Sequence, residues 1–212
     1  MNFRCVAFDM DGTLTDTMPF WRRAVVELAE ERGVVLPEEV LPRVLNCSCE
    51  DCLATLKELY PDSAVATLTI EDIMNYMERC YREKTVLCKG AAAYVKRFHD
   101  AGLPLCIISA TPRRLVKIAL EQVGLYEYFS FVLTPEDFPR GKEDPAIFRE
   151  AARRFGFDVT EMALVDDALY SLRTAKSLGI YCIGTADAAQ QARTEKIRAL
   201  CNEYYAEELG VK

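Results

Sequence analysis

The chain has 212 residues, half of them hydrophobic, and 26 Lys and Arg against 33 Asp and Glu give a formal net charge of -7. That length supports a full core, built as one large domain or as a main domain with a small insert. The acidic balance excludes general attraction to nucleic acid or an anionic membrane; the expected partner is a small molecule, and an anionic one must meet local positive charge or a metal.

No run approaches the roughly 20 apolar residues of a membrane span. The apolar stretch after Met1 is too short for a signal peptide and Asp9 interrupts it. The nine cysteines are odd in number and scattered, and Cys5, Cys106 and Cys182 sit inside apolar runs, where Cys acts as a small hydrophobe. Together these features give the expectation of a reducing, cytoplasmic location.

The first apolar run, Cys5 to Phe8, reads as a buried strand. No second strand follows before Leu105; instead Pro19 to Arg32, Glu38 to Leu45, Cys49 to Tyr60 and Ile70 to Lys84 all show helical spacing. Such a block is too long for an ordinary crossover, so residues 16–85 are expected to form an inserted all-α subdomain, with hinges at Thr15 to Met18 and Thr85 to Cys88. Further buried strands are expected at Leu105 to Ile108, Phe129 to Leu133, Met162 to Val165 and Ile180 to Ile183. The helices between them carry their own punctuation: Pro112 and Gly124, Pro145 and Gly156, and Gly179 after Leu178. Strands alternating with helices predict an α/β core with a parallel, Rossmann-like sheet, formed by residues 1–15 and 86–212.

Ligands of open parallel sheets bind at the carboxyl ends of the strands, so the polar residues there belong together. They are Asp9 and Asp11 after the first strand, Ser109 after the second, Lys142 shortly after the third, and Asp166 with Asp167 after the fourth. Carboxylates from two strands can chelate a hard cation, and Mg²⁺ suits one or two carboxylates plus a substrate phosphate. Lys142 would supply positive charge and Ser109 a hydroxyl donor to the phosphate oxygens. Asp9 as nucleophile would form an aspartyl-phosphate, with Asp11 protonating the leaving oxygen and then deprotonating water. Gly12 permits the tight turn that brings Asp11 there.

On these residues the sequence resembles the haloacid dehalogenase-like hydrolase superfamily, in its Mg²⁺-dependent phosphatase branch. "DMDGT" (Asp9 to Thr13), Ser109 in "IISAT", "GKEDPAIF" (Gly141 to Phe148) and "VDDALYS" (Val165 to Ser171) match the family's four motifs in order. The resemblance implies that Asp9 is nucleophile and metal ligand, and that Asp11 is acid/base with its backbone carbonyl on the metal. It further implies that Asp167 is a direct ligand and that Asp166 acts through water. The helical block then resembles the family's cap, which gates the site. The subgroup that shares this cap and the "DGTLxD" opening is that of phosphoglycolate phosphatase and β-phosphoglucomutase.

The mutases of that subgroup carry a cap His, Lys and Arg, where this chain has Trp21, Leu45 and Cys49. Phosphonatases use a cap Lys, and none occurs before Lys57. Hydrolysis of a small phosphorylated metabolite by a monomer or weak homodimer is therefore the leading expectation. A β-phosphoglucomutase-like mutase and a catalytically silent binding protein are the alternatives. Expected substrate contacts are Trp21 and Arg22 from the cap, with Ala110 and Arg113 beside Ser109; Phe20, Arg43 and the loop Asn46 to Cys52 complete the cap surface.

Blander roles compete at each position. Asp9 and Asp11 alone could cap a turn, Ser109 could cap the helix after Pro112, Lys142 could be a solvated loop residue, and Asp166 with Asp167 could cap a helix. Their joint register favours catalysis. "CSCEDC", Cys47 to Cys52, lacks the paired spacing of a zinc ribbon and has no nearby His, so packing is expected there. His99, the sole histidine, is expected on the surface near a helix C-terminus.

Overall fold

The computed structural model describes residues 3–45 and 47–210. The chain divides into two compact units, Met1–Asp16 with Thr85–Lys212, and Thr17–Lys84. Strand β1 (Cys5–Phe8) is buried at all four positions, as its unbroken apolar run requires of a strand covered on both faces. The chain then enters the second unit.

That unit holds α1 (Met18–Glu31), α2 (Leu41–Leu45), α3 (Cys49–Leu59) and α4 (Ile70–Lys84). Helix α1 buries Ala24, Val25, Val26, Leu28 and Ala29 and packs with α4, which buries Ile73, Tyr76, Met77, Cys80 and Tyr81. Helix α2 is shorter than its sequence pattern, starting at Leu41 rather than Glu38. Pro42 lacks an amide hydrogen and fits only the first turn of a helix, which fixes the start beside it.

The chain returns through α5 (Ala91–Asp100), β2 (Leu105–Ile108), α6 (Arg113–Gln122), β3 (Phe131–Leu133), α7 (Pro145–Phe155) and β4 (Met162–Asp166). It finishes with α8 (Leu169–Ser177), β5 (Tyr181–Thr185), α9 (Thr194–Leu200) and β6 (Glu203–Tyr205). All six strands are parallel, in the order β3-β2-β1-β4-β5-β6. One face buries Cys5, Ala7, Ile108 and Leu164 against Phe148, Leu172 and Ile197 of α7, α8 and α9. On the other, the Phe8 ring meets Tyr94 and Phe98 of α5 edge-on or tilted. Fully burying a large side chain such as Ile108, Leu164 or Phe148 is worth roughly 1.5–3 kcal/mol of transfer free energy.

Strand β3 begins at Phe131 rather than Phe129, because a 3-10 turn over Tyr126–Tyr128 takes up the preceding residues. The apolar-run reading stops at Ile183, and α9 and β6 lie beyond it. His99 is exposed in the last turn of α5. Among the described residues no helix is long and apolar enough to cross a membrane.

The strand order reverses direction between β1 and β4, whose register pairs Phe8 with Val165. Their next residues, Asp9 and Asp166, therefore emerge side by side at the crevice where open parallel sheets bind ligands.

Candidate active site

The Asp9 amide donates to the Val165 carbonyl at 2.9 Å, extending the β1–β4 pairing to the first carboxylate. Beyond it Gly12 adopts a left-handed conformation, φ 82°, which glycine takes at no steric cost. The turn wraps around one acceptor: the Met10 carbonyl receives the amides of Thr13, Leu14 and Thr15 and the Thr15 hydroxyl. Asp11 is thereby carried back over the strand end, and its Oδ2 accepts the Thr111 hydroxyl at 2.7 Å. Thr111 is itself fixed from β2, since its amide donates to Ser109 Oγ at 3.1 Å. Ser109 thus closes a turn ahead of α6 and retains its hydroxyl proton to donate.

Lys142 comes from the 3-10 turn before α7, a helix capped by Asp144, whose side chain accepts the Ala146 amide. The Lys142 ammonium is 2 % exposed and lies 2.8 Å from Asp9 Oδ1 and 2.9 Å from Asp166 Oδ2. Asp166 is anchored further: its Oδ1 accepts the Ala168 amide and its Oδ2 the Ser171 hydroxyl. Asp167 Oδ1 accepts the Thr13 hydroxyl at 3.1 Å. The Tyr170 ring stands beneath the lysine, with Nζ 5.9 Å from its centroid.

One carboxylate oxygen from each of Asp9, Asp166 and Asp167 lies within 4.8 Å of the others, all three residues being buried. One lysine faces this excess of negative charge, and the titration behaviour follows. Burial pushes Asp9 up to about 7, with Lys142 pulling against it and Asp166 adding to it. Burial, then the charges of Asp9 and Asp166, hold Asp167 well above the ordinary carboxylate range. Burial works against the Lys142 charge, yet Asp166 and Asp9 hold that ammonium well above its ordinary value. Asp9 is raised despite its ion pair because several carboxylates are desolvated against one cation.

An all-oxygen, charge-deficient pocket of this kind fits a hard divalent cation. The three carboxylates are not equivalent towards it. Asp166 already accepts three hydrogen bonds, from Lys142, Ala168 and Ser171, out of about four lone-pair positions. It is better described as the anchor of Lys142, which leaves Asp9 and Asp167 as the carboxylates able to hold an ion. The Asp11 carboxylate is outside the group of three and is taken by Thr111.

The expected substrate contacts divide. Ala110 is exposed beside Ser109. Arg113 is not brought to the carboxylates: the first turn of α6 carries its guanidinium to Asp137 and Glu136, where it forms exposed ion pairs. Within the helical unit, Trp21 donates its indole N–H to the Tyr81 hydroxyl at 2.9 Å, tying it into packing with α4, while Arg22 is exposed. Arg43 forms a loose pair with Glu58 at 3.6 Å. Asn46 lies outside the described residues. Sequence reasoning did not single out Thr13, Thr111, Tyr170 or Ser171; all four lie inside the motif runs, where their hydroxyls were the available signal.

A family model described as haloacid dehalogenase-like hydrolase matches residues 3–179. A phosphoglycolate phosphatase of Neisseria meningitidis is 27 % identical over 203 residues, covering 85 % of this chain and 79 % of that one. The validoxylamine A 7'-phosphate phosphatase of Streptomyces hygroscopicus is 24 % identical, covering 86 % and 85 %. Among solved structures, CbbY from Rhodobacter sphaeroides in complex with phosphate aligns with a TM-score of 0.77 and 24 % identity, covering 98 % and 96 %; at that identity the likeness speaks for the fold.

Proposed function

Because the chain belongs to the haloacid dehalogenase-like hydrolase family, we propose that it is a Mg²⁺-dependent phosphomonoester hydrolase working through a phosphoryl-Asp9 intermediate. The observation that carries the reading is the buried group of Asp9, Asp166 and Asp167 around Lys142. Relatives named as phosphatases support a small phosphorylated metabolite as substrate.

In this reading an oxygen of Asp9 attacks phosphorus while the bond to the leaving oxygen breaks. Lys142 grips Asp9 Oδ1, fixing the carboxylate plane and offsetting repulsion between nucleophile and phosphate. Asp11, held by Thr111, gives its proton to the departing oxygen. It then takes a proton from the water that attacks phosphorus, and phosphate leaves with Asp9 restored. Asp9, Asp167 and the Asp11 carbonyl would hold Mg²⁺, which supplies charge neutralisation and orients the phosphoryl group. Ser109 would donate to a phosphoryl oxygen. The helical unit Thr17–Lys84 is the substrate-selecting cap of this scheme. A cytoplasmic location agrees with nine free thiols.

The test is p-nitrophenyl phosphate turnover with Mg²⁺ and with EDTA. Turnover that needs the metal and vanishes in Asp9→Asn is expected; metal-independent turnover, or an active Asp9→Asn, overturns the scheme.

A further inference from the structure

No residue of the "CSCEDC" run carries a step of that scheme, and its geometry has its own explanation. Ser48 is the N-cap of α3, its hydroxyl accepting the Asp51 amide at 3.1 Å. Cys47 then stands one residue before the cap and Cys52 at the fourth helical position. Those two positions meet across a helix start, where an apolar pair usually closes the turn. Here the pair is two thiols, with sulfurs 2.7 Å apart. Each is also held on a main-chain oxygen, Cys47 on Arg43 and Cys52 on Val44, both at 3.0 Å. Of the nine free cysteines, Cys47 alone is exposed, whereas Cys52 is buried. One accessible sulfur backed by one protected sulfur is the arrangement of an attacking and a resolving thiol.

We propose that Cys47 and Cys52 form a hydroperoxide-sensitive dithiol that closes to an intramolecular disulfide. The Cys47 thiolate attacks the outer oxygen of the hydroperoxide, the O–O bond breaks, and the alkoxide or hydroxide leaves with a proton as alcohol or water. The resulting Cys47 sulfenic acid is attacked by the Cys52 sulfur; the S–S bond forms, the S–O bond breaks, and the hydroxyl departs with the Cys52 proton as water. Two thiols thus supply the two electrons that reduce one hydroperoxide, and a thioredoxin-type dithiol would reverse the change. The order of attack follows the surroundings: burial, then the bond to Cys47, raises the Cys52 thiol and keeps it protonated until Cys47 has been oxidised. Cys49, at the first helical position, is half-buried and also raised by burial.

The full-length protein is treated with hydrogen peroxide, alkylated, digested with trypsin and sequenced by mass spectrometry over the peptide Val44 to Lys57. A peptide alkylated once, at Cys49, and about 2 Da lighter than the dithiol carrying that one label, with fragments linking Cys47 to Cys52 and with all three cysteines alkylated after dithiothreitol, is expected. The link persists in Cys49→Ser and disappears in Cys47→Ser and Cys52→Ser. A Cys47–Cys49 link, a Cys47 driven to sulfinic acid beside unmodified Cys52, or no change at Cys47 overturns the proposal. The wild-type fragments decide this without the variants, whether or not the protein hydrolyses phosphate esters.

Discussion

Charge is handled in opposite ways in the buried group of the α/β unit and on the helices of the other unit. In the α/β unit, Lys142 and three carboxylates are buried together and bonded to one another, to Thr13, to Ser171 and to main-chain amides. In the helical unit, charges meet in water: Arg79 with Glu31, Arg82 with Glu78 and Arg23 with Glu27, mostly exposed pairs on the outsides of α1 and α4. Solvent screens such pairs and the median is worth little. A buried pair that loses one partner leaves an uncompensated charge, which is costly whatever the intact pair contributes. Similar residue types thus carry chemistry in the buried group and solubility in the exposed pairs, and burial with hydrogen bonding is what separates them.

Substitutions can break this contrast. The largest effect is expected from Asp9→Asn, which removes the nucleophile and should lower steady-state phosphatase kcat by more than about 10³-fold while leaving the fold intact. Lys142→Met strands Asp9 and Asp166 without their cation. Urea unfolding of the metal-free protein at about pH 8 should show a loss of about 3–5 kcal/mol, and turnover should fall with it. Thr111→Val removes the hydroxyl bonded to the Asp11 carboxylate, and kcat for alkyl phosphates should drop by roughly 10- to 100-fold. The drop should be smaller for p-nitrophenyl phosphate, whose leaving group needs no proton, and Thr111→Ser should restore both. An equal loss on both substrates would make Thr111 a packing residue only.

The pH dependence sharpens the same contrast. Asp9 titrates near 3.8 when unfolded and near 7 in the metal-free fold, so the folded state holds its proton more tightly. Its contribution to stability is greatest below the unfolded value and is lost as pH rises towards 7. A dication reverses this by binding the ionised form. The rise in Tm on adding Mg²⁺ should therefore be larger at about pH 8 than at about pH 5 by differential scanning fluorimetry, and equal shifts would contradict the charge-deficient pocket. The smallest effect belongs to the helical unit: Arg79→Ala should move unfolding by less than about 0.5 kcal/mol, since both partners are half exposed.

Much of the core was legible because its strands are unbroken apolar runs; β1 and β2 begin and end where those runs do. The four acidic residues and Lys142 were legible because each follows such a run or lies just beyond one. Strand β6 was not, since Glu203–Tyr205 is three residues long and partly exposed at the sheet edge. Thr111 and Ser171 escaped notice because a hydroxyl near a helix start looks the same whether it caps the backbone or holds a carboxylate. The partner of Arg113 was not legible for a geometric reason: nearness to Ser109 in sequence says nothing of direction, and the helix turns its side chain towards Asp137.

The central place of β1 governs how the protein can be made. Its partners, β2 and β4, begin at Leu105 and Met162, so β1 has no strand to pair with until Leu105–Ile108 has been made. At elongation rates of about 5–20 residues per second, this apolar segment waits on the order of ten seconds before a neighbour arrives. Asp9 and Asp167 meet later still. Activity gained during synthesis would therefore report completion of β4 and Asp167 rather than formation of β1.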